Sequence, residues 1–296
     1  MPEYCRKGMF ILSDSVYSFL YQTLSQTLES VHTLLRRASE GGAQLVVLGE
    51  MFSCPYSHQS FRSSAQSVSL DCGGNNSDDL VRFLATAAET HGMWLVGGSI
   101  PELVIDSNGC RLIYNTSLIF DSKGILRAKY RKLHLFDVSI PADPKSGSPG
   151  VSFKESDTLS QGDLGLGLFE TPWGFDIGIG ICYDLRFPEL ATALRERSAN
   201  KMKLLVYPGQ FNMTTGPMHW ELLGRARAVD TQSFCVLASV ARSTDLSDYQ
   251  VCPQDMLRIH LLVLGSLNDY FPVWQSFGKL GSVRGRHLCG YRYYRS

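Results

Sequence analysis

The chain has no surplus of charge: lysine plus arginine and aspartate plus glutamate each number 28, for a net charge of zero with histidine neutral. Such a surface has no global field to gather nucleic acid or an anionic membrane. It also lacks any apolar run approaching the roughly 18 residues of a spanning helix. Met9–Leu20 is apolar but broken by Ser13, Asp14 and Ser15, without a small-residue cleavage site, so no secretory signal is expected. None of the eight cysteines forms a C-x-x-C pair, and none groups with histidines at zinc-ligand spacing. Scattered thiols in a chain of this length predict reduced cysteines in the cytosol or an organelle such as the mitochondrion. Internal repeats, a phosphate loop and a zinc-protease motif are missing. Gly178 and Gly180 are followed by no third glycine and helix at dinucleotide-fingerprint spacing.

What is present reads as a soluble α/β protein. Hydrophobic content is 44% and charged content 19% over 296 residues, enough for one large core. Leu20, Leu24, Leu28, Val31, Leu34 and Leu35 recur at helical spacing, and Gly41-Gly42 closes that helix. Gln44–Leu48 and Trp94–Gly97 are continuous apolar runs of strand length, as expected of strands covered on both faces. Between them Ser77–His91 predicts a helix, with Ser77 as cap and Asp78 and Asp79 in its first turn. Arg111–Phe120 and Ile125–Leu135 flank the turn Asp121-Ser122-Lys123-Gly124 and predict a hairpin. Phe169–Glu170 and Phe175–Ile181 predict another, around Thr171-Pro172-Trp173-Gly174. The spacing then predicts a helix over Pro188–Ser198, a strand over Leu204–Tyr207, a helix within Gly216–Thr231 and a strand over Phe234–Val240. Pro141–Gly150 reads as a loop inside the domain, and His260–Leu264 as one further strand. Crossovers mixed with hairpins predict a layered α/β sandwich with mixed sheets.

Four reactive side chains fall at strand ends or in adjoining loops, where a rigid scaffold can aim them. Glu50 follows QLVVLG, Lys132 lies in KYRKLHLF, Glu155 in FKESD, and Cys182 follows FDIGIGI. A cysteine at a strand-to-helix turn beside a lysine can form a stabilised thiolate. Glu50 could take the thiol proton and return it to a leaving amine. Lys132 and the backbone N–H of Tyr183 could hold an oxyanion, with Glu155 orienting the lysine. Taken singly each has a plainer reading, since a free cysteine is usually a buried small hydrophobe and a lone lysine or glutamate is usually solvated.

The surroundings of the four decide between these readings. VVLGEMF, KYRKLHLFD and GIGICYDLRFPEL, in that order, resemble the three signature regions of the nitrilase superfamily of carbon–nitrogen hydrolases. The resemblance implies that Glu50, Lys132 and Cys182 are its glutamate, lysine and cysteine, and the match in VSFKES puts its second glutamate at Glu155. It further implies a four-layer αββα sandwich, hydrolysis through a covalent thioester, no metal or organic cofactor, and a homo-oligomer such as a dimer. KLHLFDVSIP, FKESDTLSQGD and YPGQFNMTTGPMHWELLGRARAVDTQ resemble the omega-amidase branch. That branch removes the terminal amide of 2-oxoglutaramate and 2-oxosuccinamate as ammonia. Deaminated-glutathione amidase shares TTGP and HWE but differs around the lysine and second glutamate, where Leu135-Phe136-Asp137 and Phe153-Lys154-Glu155 favour omega-amidase.

The resemblance covers roughly Leu28 to Arg242, so residues 22–242 are assigned to the hydrolase domain. Residues 1–21 and 243–296 depart from the family pattern, receive no domain of their own, and predict missing edge strands at both ends. Those ends keep open a catalytically dead member that only associates with a partner, and an amidase for another substrate such as deaminated glutathione is a further alternative. Phe211, Met213, Thr214 and Glu221 are candidate substrate-pocket residues, a structural place on its helix being equally expected for Glu221. Asp184, Arg186 and Glu189 read as a structural ion-pair network, and His134 as a satisfied polar residue near Lys132.

Overall fold

A computed structural model of the chain describes residues 23–68, 79–142, 145, 150–163, 165, 167–199, 201–212 and 215–239. In chain order the elements begin with α1 (Leu24–Glu40), β1 (Leu45–Val47), the short α2 (His58–Ser63), α3 (Asp79–His91), β2 (Trp94–Val96) and β3 (Ile100–Ile105). The hairpin β4 (Arg111–Phe120) and β5 (Leu126–Arg131) follows, then β6 (Asp137–Ile140), β7 (Val151–Lys154) and a 3-10 turn at Glu155–Asp157. The second half holds β8 (Leu168–Glu170), β9 (Asp176–Ile179), a 3-10 turn at Cys182–Arg186, α4 (Pro188–Arg197), β10 (Met202–Gly209), α5 (Gly216–Thr231) and β11 (Phe234–Ser239).

Two sheets face each other through side chains that alternate along each strand. Leu45 and Val47 of β1, Trp94 and Val96 of β2 and Ile119 of β4 join Ile177, Ile179, Leu205 and Val206 in the core between the sheets. Their neighbours Val46, Leu95, Leu118 and Phe120 point the other way, into a second core under α1 and α3. This double coverage is why the strands read as unbroken apolar runs. In the first sheet β1 and β2 are parallel, β2 meets β4 antiparallel, and β3 and β5 also pair with β4. The second sheet runs β11-β10-β9-β8, parallel except for the β8–β9 hairpin. Helices α4 and α5 cover its outer face, completing an αββα sandwich.

The helices have local causes. Thr23 and Gln26 form a reciprocal capping box on α1: the Thr23 hydroxyl accepts from the Gln26 N–H at 3.3 Å, and Gln26 Oε1 accepts from the Thr23 N–H at 2.9 Å. Val31, Leu34, Leu35 and Ala38 are the buried stripe, and the helix stops at Gly41-Gly42 as the spacing predicts. Leu24 lies outside the stripe, 41% exposed, because it sits on the first turn. Pro188 and Pro217 stand in the first turns of α4 and α5, where no intrahelical donor is needed. Ser77 and Asp78, the expected cap region of α3, and the expected strand His260–Leu264 lie outside the described residues, as do the chain ends.

Four elements were not expected. The strand β3 contains Pro101 and Glu102, which disguise it. It forms because Pro101 needs only its carbonyl, which accepts from the Gln66 N–H at 3.0 Å. Glu102 is buried against Lys129, Arg131 and Thr116 at 2.7–2.9 Å. The α2 helix is a single capped stretch below the length that periodicity detects. The β6–β7 hairpin flanks Pro141–Gly150, and its exposed residues give no alternation to read. Two expected strands also stop early, β5 at Arg131 and β9 at Ile179, because the chain turns there into the site.

Candidate active site

Glu50, Lys132, Glu155 and Cys182 all leave strand ends on one side of the sandwich. Glu50 follows β1 and is brought close to the β2–β3 turn by Gly98, whose φ is +62° and where a Cβ would stand 2.1 Å from the Gly49 carbonyl oxygen. Only glycine fits that approach. Ser99 then accepts the Met51 N–H at 3.0 Å and fixes the backbone beyond Glu50. Lys132 follows β5, its N–H donating to the Asn115 carbonyl at 2.8 Å. Glu155 is delivered by β7: its N–H donates to the Phe136 carbonyl at 3.1 Å, and its Oε2 accepts the Phe136 N–H at 2.8 Å. Cys182 opens the 3-10 turn after β9 with φ +47°, a left-handed conformation. Holding a non-glycine residue there costs about 1–3 kcal/mol, a strain typical of functional turns.

The side chains converge. Lys132 Nζ donates to Glu50 Oε1 at 2.9 Å and to Glu155 Oε1 at 2.8 Å, with all three side chains fully buried. Asn115 Nδ2 donates to Glu50 Oε1 at 2.8 Å. The Tyr56 hydroxyl hydrogen-bonds Glu155 Oε1 closely, reaches Glu50 Oε1 at 3.2 Å, and lies 3.4 Å from Lys132 Nζ. The Cys182 thiol feels the charges of Glu50 and Lys132, and Glu50 Oε2 is buried without a hydrogen-bond partner.

Burial dominates the electrostatics. Removal from water pushes the Cys182 thiol well up, the Glu50 charge pushes the same way, and the pull of Lys132 and of the Gln210 backbone N–H is too weak to reverse it. A thiol in this setting favours its protonated form and would need a base in order to attack a carbonyl. Burial likewise raises Glu155 well above the carboxylate range, reinforced by Glu50 and opposed by the Phe136 N–H. At Lys132 burial acts against the charge, but the Glu50 carboxylate outweighs it through its charge and its hydrogen bond, and the ammonium is held above its ordinary range.

A cleft of about 440 Å³ of empty space, mouth included, opens over Cys182. Its wall includes Tyr56, Phe136, Phe153, Tyr183, Arg186 and Phe211. Phe211 is part of this wall, while Met213 and Thr214 lie outside the described residues. Glu221 is not part of this wall: its side chain is 40% exposed on α5 and meets Arg225 at 3.7 Å. Its helical phase turns it outward. The expected Asp184–Arg186–Glu189 network does not form among the described residues. Asp184 bonds Tyr130 and His134, and Arg186 lies over the rings of Tyr183 and Phe211. His134 is satisfied, as expected.

Tyr56 and Asn115 were missed. Tyr56 sits in an irregular loop with no periodicity to read. Asn115 gave a usable signal, an amide in the middle of the apolar run LIYNTSLIF, where a buried polar group needs a partner. No group of three or more His, Cys, Asp or Glu suited to a metal gathers among the described residues.

Known proteins resemble this chain over most of its length. The family model described as carbon-nitrogen hydrolase matches residues 17–254. A Xenopus laevis protein named omega-amidase NIT2-A is 41% identical over 234 residues, covering 79% of this chain and 76% of that protein. Omega-amidase NIT2 of Bos taurus is 42% identical over 223 residues, covering 75% and 72%. The crystal structure of Saccharomyces cerevisiae Nit3, a member of branch 10 of the nitrilase superfamily, superposes with a TM-score of 0.62 at 37% identity, covering 77% of this chain and 74% of that one. With most of its length matched and the same layered fold underneath, this chain belongs to the carbon–nitrogen hydrolase family.

Proposed function

We propose that the protein is an omega-amidase-type hydrolase that cleaves the terminal carboxamide of a small 2-oxo acid, such as 2-oxoglutaramate or 2-oxosuccinamate. The observation that carries this reading is the buried Glu50–Lys132–Glu155 cluster beside Cys182, at the floor of a cleft whose wall includes Arg186. Cys182 Sγ attacks the amide carbon as Glu50 takes the thiol proton. Lys132 and the Tyr183 backbone N–H stabilise the oxyanion. Glu50 returns the proton to nitrogen, the C–N bond breaks, and ammonia leaves a thioester on Cys182. Water then attacks that thioester, its proton passing to Glu50 with Glu155 aligning the group. The thiol reforms and the dicarboxylate departs.

Arg186 fits the far carboxylate of such a substrate. Its Nε is buried without a hydrogen-bond partner, and its partial burial acts against the cation, which an anionic ligand would offset. A panel of short ω-amides on the purified chain, read as ammonia released, tests the function. Release from 2-oxoglutaramate is expected, with Arg186→Met raising KM about 10- to 100-fold and leaving kcat nearly unchanged. Folded protein that releases ammonia from none of the panel rejects the proposal. A preference for deaminated glutathione rejects the substrate assignment.

Tyr56 bridges both carboxylates and faces the cleft, so its hydroxyl helps keep Glu50 and Glu155 aligned on Lys132. Tyr56→Phe is expected to lower kcat about 10- to 100-fold, the equivalent of losing a hydrogen bond to a charged group. Steady-state kinetics beside a thermal melt check this, since a variant with unchanged kcat gives Tyr56 no such part.

A further inference from the structure

We infer that Asp184 is a positioning residue that holds the nucleophile turn and the lysine segment in register, so that Cys182 and Lys132 meet at one point. The carboxylate of Asp184 is fully buried and accepts four hydrogen bonds. Oδ2 accepts from the Ile181 N–H at 2.9 Å and from the Tyr130 hydroxyl at 2.8 Å. Oδ1 accepts from the His134 N–H at 2.9 Å and pairs with His134 Nδ1 at 2.7 Å. One partner directly precedes Cys182, and the other two residues bracket Lys132 at two positions on either side. One side chain thus ties the ends of two strands from opposite sheets, β5 and β9.

The arrangement has a mechanical reason. Cys182 is strained at φ +47°, and Lys132 is a long side chain that must stay between two acids. Cys182 lies three residues past Ile179, the last paired residue of β9, and Lys132 is the first residue past the paired end of β5, so both side chains project beyond their strands. The imidazole of His134 is further fixed by stacking on Phe187 at 3.6 Å between ring centres. Since a displacement of about 1 Å can slow an enzyme about 100-fold, a four-bond tether at this point has a rate consequence.

The inference rests on the amidase reading for its kinetic test, so a second readout is independent of substrate. That readout is the pH profile of iodoacetamide alkylation at Cys182, followed by mass spectrometry of its peptide. The thiol faces Glu50, Lys132 and Arg186, and Asp184 faces Tyr130, His134, Tyr207, Lys132 and Glu155. Asp184→Asn removes charge and tether together and can fail to fold, so the deciding variant is Tyr130→Phe, which removes one bond and keeps the ring. In folded Tyr130→Phe, Lys132 is held less closely to the thiol. Alkylation is then expected to need a higher pH than in the parent, and kcat to fall about tenfold at unchanged KM. An unshifted alkylation profile overturns the proposal, whether or not kcat falls, since a purely structural role would leave the thiol's titration unmoved. If the parent releases no ammonia, the functional reading fails alone and the alkylation profile still decides the role of Asp184.

Discussion

Cys182→Ala is expected to reduce ammonia release from 2-oxoglutaramate by at least about 1,000-fold while the protein stays folded. Alanine removes the only atom of this residue that can carry the acyl group, so the two-step route closes. What remains is the field of Lys132 and the backbone donors acting on uncatalysed water attack. The structural cost is small, because the change removes one buried sulfur, worth about 1 kcal/mol, and leaves the left-handed backbone as it was. The two measurements are ammonia release and a melt on the same preparation. Activity within about tenfold of the parent would show that another group carries the acyl chain, and the proposed mechanism would fall.

Lys132→Met is expected to damage stability as well as turnover. The lysine is the shared cation of two buried carboxylates, 2.9 Å from Glu50 and 2.8 Å from Glu155. Breaking a buried ion pair by removing one partner costs about 3–5 kcal/mol, because the remaining charges stay out of water. At this chain length that corresponds to a loss of about 10 °C in Tm. The pH dependence has a definite sign. Burial and the Glu50 charge already raise Glu155 above its unfolded value, and loss of the lysine raises it further. A carboxyl raised on folding contributes stability below its unfolded pKa and loses it as pH rises through the folded pKa. The Tm deficit of the variant should therefore grow, and never shrink, as pH rises above the folded pKa of Glu155 in the parent. A deficit that shrinks with rising pH would mean that Glu155 is not the group responsible.

The order of elements was readable because most strands are covered on both faces and most helices on one. Gln44–Leu48 had to be a buried strand, and Leu28 to Leu35 a helix face, whatever stood next to them. Where burial comes from a polar partner instead, the pattern fails. Glu102 breaks the apolar run of β3, yet it is buried because Lys129 and Arg131 arrive from β5. The β6–β7 hairpin is mostly exposed, so it has no apolar face to betray it. The misread group was Asp184, Arg186 and Glu189. Proximity along the chain suggested mutual pairing, but a 3-10 turn sends consecutive side chains in different directions, Asp184 inward and Arg186 into the cleft.

The amino-acid order alone determined which atoms are available for chemistry: one thiol, one ammonium and two carboxyls, each placed just past a strand, in surroundings that mark the hydrolase family. Their protonation and their company were decided only by the folded chain. Desolvation, which no local segment can produce, keeps the Cys182 proton in place and raises Glu155. Contacts across 65 and 99 positions bring Asn115 to Glu50 and Tyr56 to Glu155. A carboxylate's neighbours are set by where two sheets meet, and that meeting depends on packing distributed over the whole chain.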